Sequence, residues 1–260
     1  MNNILIFFPL GAGGNLLKNI ITLDTKFEFF DDSPFFKEYT TTESRFEFLR
    51  DFYKKPVTSE SWLTREWSIR TASQVRYYEN NTISYWNPDC KLVYLVHGEL
   101  EEMYNILMDK KLTHYDKTGL MLGTTAQKES PKGLQSCIHV FLMPNNIDFI
   151  TKIYACKNGS LNQFDQNKTA DDRFKLARSH NINLNNRLED YRKFIHNKSN
   201  RCLDVVAEEL FKDSGKDLLT DLMYRLNVNV PDEMIHEIHS TWLQSTRELY
   251  YTSYKEELTL

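Results

Sequence analysis

The sequence predicts an α/β fold, a three-layer α/β/α arrangement around a mainly parallel sheet with a helical last third. Three apolar runs carry the prediction: Ile4 to Phe8, Leu92 to Val96 and Ile138 to Met143. Each has the length of a strand and almost no polar alternation, the pattern of strands buried on both faces of a parallel sheet. Each then breaks, at Pro9, at Gly98 and at Pro144, and runs into sequence compatible with a helix. Strand and helix in repeated alternation imply right-handed βαβ crossovers, with helices on both faces of the sheet.

The first run leads through Gly11-Ala12-Gly13-Gly14-Asn15 into Leu16-Leu17-Lys18-Asn19-Ile20-Ile21. This reads as strand, glycine-rich turn and helix. Glycine has no Cβ, so the backbone turns tightly and approaches a ligand closely, while the helix directs unpaired N–H groups and its positive dipole end into the turn. Such a turn suits a phosphate or sulfate. The same glycines equally serve a plain tight connection. A side chain at Gly13 would then either strike a bound anion or strain the turn.

Further along, Phe27 to Phe30 reads as a second strand ended by Asp31-Asp32-Ser33-Pro34, and residues 43–55 and 59–79 read as helices. In the second of these, Trp62, Trp67, Ile69 and Val75 define no regular face, and Arg65, Arg70 and Arg76 point outward or line a pocket rim. The strand from Leu92 ends at His97-Gly98, and Glu99 opens a helix to about Lys110. Residues 111–136, with Gly119, Gly123, Pro131 and Gly133, read as a long loop of the kind that forms lids or binding loops. After the turn Pro144-Asn145-Asn146, a helix runs through about Tyr154. A helix over 170–196, a strand at Cys202 to Val206, a helix from Gly215 to Leu226 and one from Pro231 to Tyr250 complete the chain. Pro231 in a first turn beside Asp232 and Glu233 is a helix-start signal. No linker or internal repeat divides residues 1–260, so a single domain is expected.

A net charge of −4 argues against general nucleic-acid binding through a basic surface and points to a small partner. Cys90, Cys137, Cys156 and Cys202 are far apart and lack a CxxC pair, which suggests neither a disulfide framework nor a zinc site. The first apolar run lacks a basic flank and a cleavage signal, and no run reaches transmembrane length. A cytoplasmic location without a membrane span is therefore expected, where the sequons at Asn80, Asn158, Asn167 and Asn197 stay unmodified.

The order of elements resembles the P-loop sulfotransferase family, which adds a P-loop-like start to the expected fold. Pro9 to Leu17 occupies the place of that family's Pro-Lys-Ser-Gly-Thr-Thr loop. Asp204 to Phe211, Leu218 to Val228 and Pro231 to Trp242 are similar in order and spacing to its closing strand, helices and tryptophan. The resemblance implies sulfuryl transfer from 3′-phosphoadenosine 5′-phosphosulfate to a hydroxyl or amine of a small-molecule or glycan acceptor, without a metal. It further implies that Gly11, Ala12, Gly13, Gly14, Asn15, Leu16 and Lys18 bind the donor. The chain departs from the family at several places. The loop lysine is Leu10, with Lys18 about one helical turn inside, and Gly13 and Gly14 replace the loop hydroxyls. The arginine and serine of the 3′-phosphate site correspond to His97 and Asn105, or at the next strand end to Met143-Pro144-Asn145 and Thr151.

His97 ends a strand at the ligand-binding edge, where a neutral imidazole accepts an acceptor hydroxyl's proton, so it is the expected catalytic base. Glu99 and Glu102 either orient the ring or favour the helix start. His139 alternates with apolar neighbours and reads as a hydrogen-bonded core histidine. His236 and His239 are three apart on a helix, a geometry open to metal but without a third ligand, so a helix surface is expected. Arg173, Lys175, Arg178, Arg187 and Arg192 alternate with acids and read as a solvated face or as nucleotide contacts. A rival reading takes Gly11-Ala12-Gly13 and Asp31-Asp32 as a dinucleotide fingerprint of an NAD-type oxidoreductase, although Leu16 stands where the third glycine belongs. A third reading is a catalytically degenerate P-loop scaffold that binds a nucleotide or sugar, or nothing.

Overall fold

A computed structural model describes residues 4–29, 39–54, 91–96, 138–157, 168–197 and 200–258. Cys90, His97, Cys137, the helices expected over 59–79 and from Glu99, and the loop 111–136 lie outside the described residues. The strands are β1 (Ile4–Phe7), β2 (Phe27–Phe29), β3 (Lys91–Val96), β4 (Ile138–Met143) and β5 (Cys202–Val206). The helices are α1 (Gly14–Ile21), α2 (Thr42–Lys54), α3 (Ile147–Lys157), α4 (Ala170–His196), α5 (Gly215–Leu226) and α6 (Asp232–Tyr254), with a 3-10 segment at Ala207–Phe211.

The five strands form one parallel sheet in the order β2-β3-β1-β4-β5. β1 is central: Phe7 stands opposite Val96 on one side and Phe141 on the other. The ends of three strands therefore converge where the glycine turn begins. The chain steps to β2 and β3 on one side of β1, then crosses to β4 and β5 on the other. Ligands of open α/β sheets bind at such a reversal, beyond the carboxyl ends of the strands.

All four residues of β1 are buried, as its unbroken apolar run requires. Ile4 and Ile6 join Val140, Leu142 and Val205 in a core with Leu16, Leu17 and Ile20 of α1 and with Ile235, Ile238 and Trp242 of α6. Phe7 turns the other way, stacking on Phe141 at 4.8 Å and meeting Tyr191 of α4 at 4.9 Å. Thr169 and Asp172 form a reciprocal capping box that starts α4 where the sequence places it. Pro231 stands just outside α6 rather than in its first turn, its carbonyl accepting the Met234 N–H at 3.0 Å. Arg45 is buried and donates to the carbonyls of Thr22, at the end of α1, and Phe27, at the start of β2. A guanidinium there satisfies acceptors that the helix end leaves open.

His139 differs from expectation. It is in the core, 1 % exposed and stacked on Phe7, but neither ring nitrogen has a well-formed hydrogen bond among the described residues. Burial pulls its pKa from 6.5 down to about 4, with the Arg201 main chain opposing the shift and the nearby His196 adding to it. Between those values the unfolded chain binds more protons than the folded one. The contribution of His139 to stability is thus complete above pH 6.5 and lost as the pH falls towards 4, by about 3 kcal/mol in total. His139→Phe keeps the ring stack and removes the proton. It should stabilise the protein by about 1 kcal/mol near neutrality and flatten its loss of stability on acidification. Part of the slope remains, because burial also lowers the pKa of His239. Urea unfolding of both proteins at neutral and mildly acidic pH checks this, and an unchanged slope in the variant contradicts it.

Candidate functional site

Pro9 to Gly13 forms a compact turn in which the Ala12 N–H closes on the Pro9 carbonyl at 3.2 Å. Gly11 at φ +96° and Gly13 at φ +87° adopt conformations that L side chains rarely accept. A Cβ on Gly11 would overlap the Ile150 carbonyl oxygen, and one on Gly14 would overlap the Phe8 ring. A Cβ on Gly13 would lie 3.0 Å from Leu210 and 3.8 Å from Trp242. Packing thus requires Gly11 and Gly14, and the positive φ requires Gly13. A side chain at Gly13 meets the 3-10 segment and α6, so strain within the fold is the outcome the geometry supports.

Ala12 and Leu16 bury their side chains in the core, which leaves only main-chain groups for a ligand, and the Ala12 N–H is already used. Lys18 lies in the last turn of the short helix α1, where a cation complements the negative dipole end.

The turn is held by a residue that sequence reasoning missed. Asn181 of α4 is fully buried, accepts the Leu10 N–H at 3.0 Å and donates to the Leu10 carbonyl at 3.0 Å. Its amide imitates a neighbouring strand and extends the pairing of the chain beyond β1. The same Nδ2 donates to Thr151 Oγ1 at 2.9 Å, while Thr151 donates to the Ile147 carbonyl at 2.7 Å. Thr151, a candidate for the 3′-phosphate site, is therefore sealed inside the protein. The signal for Asn181 lay in periodicity, because it falls on the same stripe as the buried Leu184, Leu188, Tyr191 and Ile195.

Two helix N-termini meet at this edge, and they differ in charge. The first turn of α3 carries Asp148, and the preceding Asn145 and Asn146 N–H groups both donate to the Glu208 carboxylate, the former at 3.1 Å. α1 has no acidic residue in its first turn, unlike α2 to α6. The N–H groups of Gly11, Gly13, Gly14 and Leu16 have no hydrogen-bond partner among the described residues. The turn thus presents several donors and a positive dipole end with no anion among the described residues to answer them.

The other expected residues divide. β3 ends at Val96 beside Phe7, so the strand end preceding His97 borders the turn, while His97 itself lies outside the described residues. His239 is buried, its Nε2 2.8 Å from the Leu210 carbonyl, and His236 faces Thr220 at 3.4 Å, so the two do not share a site. Among the described residues no group of three metal-ligating side chains occurs. Arg173 donates to the Ala155 and Lys168 carbonyls, Arg178 pairs with Asp148 at 2.8 Å, and Arg192 pairs with Glu189 and Asp204. These arginines serve the fold. Cys156 is buried, and Cys202 is half-buried with its thiol pushed up to about 11, mainly by burial. No described helix is long and apolar enough to cross a membrane. The chain matches no family model, no curated protein and no solved structure.

Proposed function

We propose that the glycine turn binds the phosphate or phosphosulfate of a nucleotide and that the protein is a sulfotransferase-like enzyme of three-layer, P-loop-like build, acting in the cytoplasm as a single domain. The observation that carries this reading is the set of unpaired N–H groups at the acid-free start of α1, at the carboxyl end of the central strand. The donor in this reading is 3′-phosphoadenosine 5′-phosphosulfate, held by the backbone amides of Gly13, Gly14 and Asn15. The acceptor is a hydroxyl or amine of a small molecule or glycan. Its oxygen or nitrogen bonds to sulfur as the sulfur–phosphate oxygen bond breaks, His97 takes the acceptor's proton, and adenosine bisphosphate leaves.

The strand order weighs against the dinucleotide reading. That fingerprint needs the strand after the glycine helix to neighbour the first, so that its acidic residue reaches the ribose. Here β3 separates β2 from β1, a displacement of about 10 Å for a residue following β2. The scaffold reading has its own support, since packing and backbone conformation together account for every glycine of the turn. Calorimetric titration with adenosine 3′,5′-bisphosphate, adenosine 5′-monophosphate and NAD separates the three. Saturable binding of either adenosine phosphate without binding of NAD is expected, and absence of all three supports the scaffold.

A further inference from the structure

His139 lies on the face of the sheet that α4 covers, because its ring stacks on Phe7 and Phe7 meets Tyr191 of α4. Its pairing partner on β5 is Cys202, and two residues on, on the same face, stands Asp204. The Asp204 carboxylate accepts Arg192 Nη1 at 3.0 Å and lies 3.1 Å from His196 Nε2, so one side chain of β5 fastens the last two turns of α4. The first half of α4 is fastened elsewhere, by Asn181 to Leu10 and Thr151 and by Arg178 to Asp148. The two halves can therefore part from the sheet separately. The ionisable groups around the His139 ring are Tyr191, Arg192 and His196 from α4, with Glu189 and Lys193 behind Arg192, and Arg201, Cys202 and Asp204 on the β5 side. β1 adds only apolar side chains. Arg192 already holds both Glu189 and Asp204, so a proton on His139 meets no free carboxylate in this group. A charged ring there has to reach water.

We propose that His139 and Asp204 form an acid-operated latch: a proton on the His139 ring releases the second half of α4 from the sheet and uncovers Phe7, the last residue of β1 before the glycine turn. Closed, the latch keeps a neutral ring among aromatic faces; open, it lets the imidazolium meet water. The open state thus binds one more proton than the closed one. With an ordinary value of 6.5 in the open state and about 4 in the closed one, opening gains little above pH 6.5, up to about tenfold per pH unit below it, and about 300-fold once the pH is below 4. Repulsion from a protonated His196 acts in the same direction. The latch does not depend on what the turn binds.

Amide hydrogen exchange of the whole protein at pH 7 and pH 5, expressed as protection so that the intrinsic pH dependence of exchange cancels, tests the latch. In the wild-type protein the amides of residues 188–196 should be less protected than the buried amides of α5, and their protection should fall by about 20-fold between the two pH values. His139→Phe should abolish that fall. Asp204→Asn should lower the protection of the same amides at pH 7 by about two- to fivefold, the worth of a half-exposed ion pair, and leave those around Asn181 unchanged. Protection of residues 188–196 equal to that of α5 means that α4 opens only with the whole protein and overturns the latch. So does a local opening that ignores pH. Both results come from the wild-type protein, so a variant that fails to fold leaves the test intact.

Discussion

Asn181→Ala is expected to destabilise the protein by about 3–5 kcal/mol and to loosen the glycine turn. The native side chain is fully buried and makes three hydrogen bonds, two to Leu10 and one to Thr151. Truncation strands the Leu10 N–H and carbonyl beside a new cavity, and each orphaned buried group costs about 1–3 kcal/mol. Asn183→Ala, exposed on the same helix, should cost less than about 0.5 kcal/mol. If the turn binds an anion, nucleotide affinity per folded molecule should also fall in Asn181→Ala, because the clamp fixes the chain that enters the turn. Urea denaturation of both variants, with calorimetry on the folded fraction, checks this. An Asn181→Ala protein as stable as Asn183→Ala contradicts the clamp.

Gly11→Ala is expected to cost at least about 3 kcal/mol, more than the same change at Gly13. The new methyl group meets backbone, the Ile150 carbonyl and the Tyr154 N–H, and neither moves without displacing α3. The conformation at φ +96° adds strain of its own. At Gly13 the obstacle is the Leu210 side chain at 3.0 Å, which can rotate away, so about 1–2 kcal/mol of conformational strain remains. Melting temperatures of the two variants test the order. Equal losses would mean that both positions answer to φ alone.

The strands and the later helices were legible in the sequence for physical reasons. A strand buried on both faces has to be apolar at every position, so the runs at Ile4 and Ile138 stood out. α4 and α5 begin and end as expected, with Thr169 capping the former and Asn227, at φ 57°, closing the latter. What stayed hidden depends on distant partners. Asn181 and Leu10 are 171 residues apart, and nothing local in either announces the pair. The 3-10 segment is five residues long and shows no periodicity. The role of the glycines could not be read, because a tight connection and an anion cradle demand the same backbone. His139 looked like a hydrogen-bonded core histidine because an apolar strand pattern reveals burial but not the partners of a ring nitrogen.

The central claim is that main-chain N–H groups at the start of α1 hold an anion, and the most direct test is to observe those amides. In an isotope-labelled protein titrated with adenosine 5′-monophosphate, the amide resonances of Gly13, Gly14, Asn15 and Leu16 should shift most, and together, with one dissociation constant. Those of Asn145 and Asn146, already bound to Glu208, should move little. Saturable binding that leaves the glycine amides in place, or that shifts Asn145 and Asn146 most, would contradict the account.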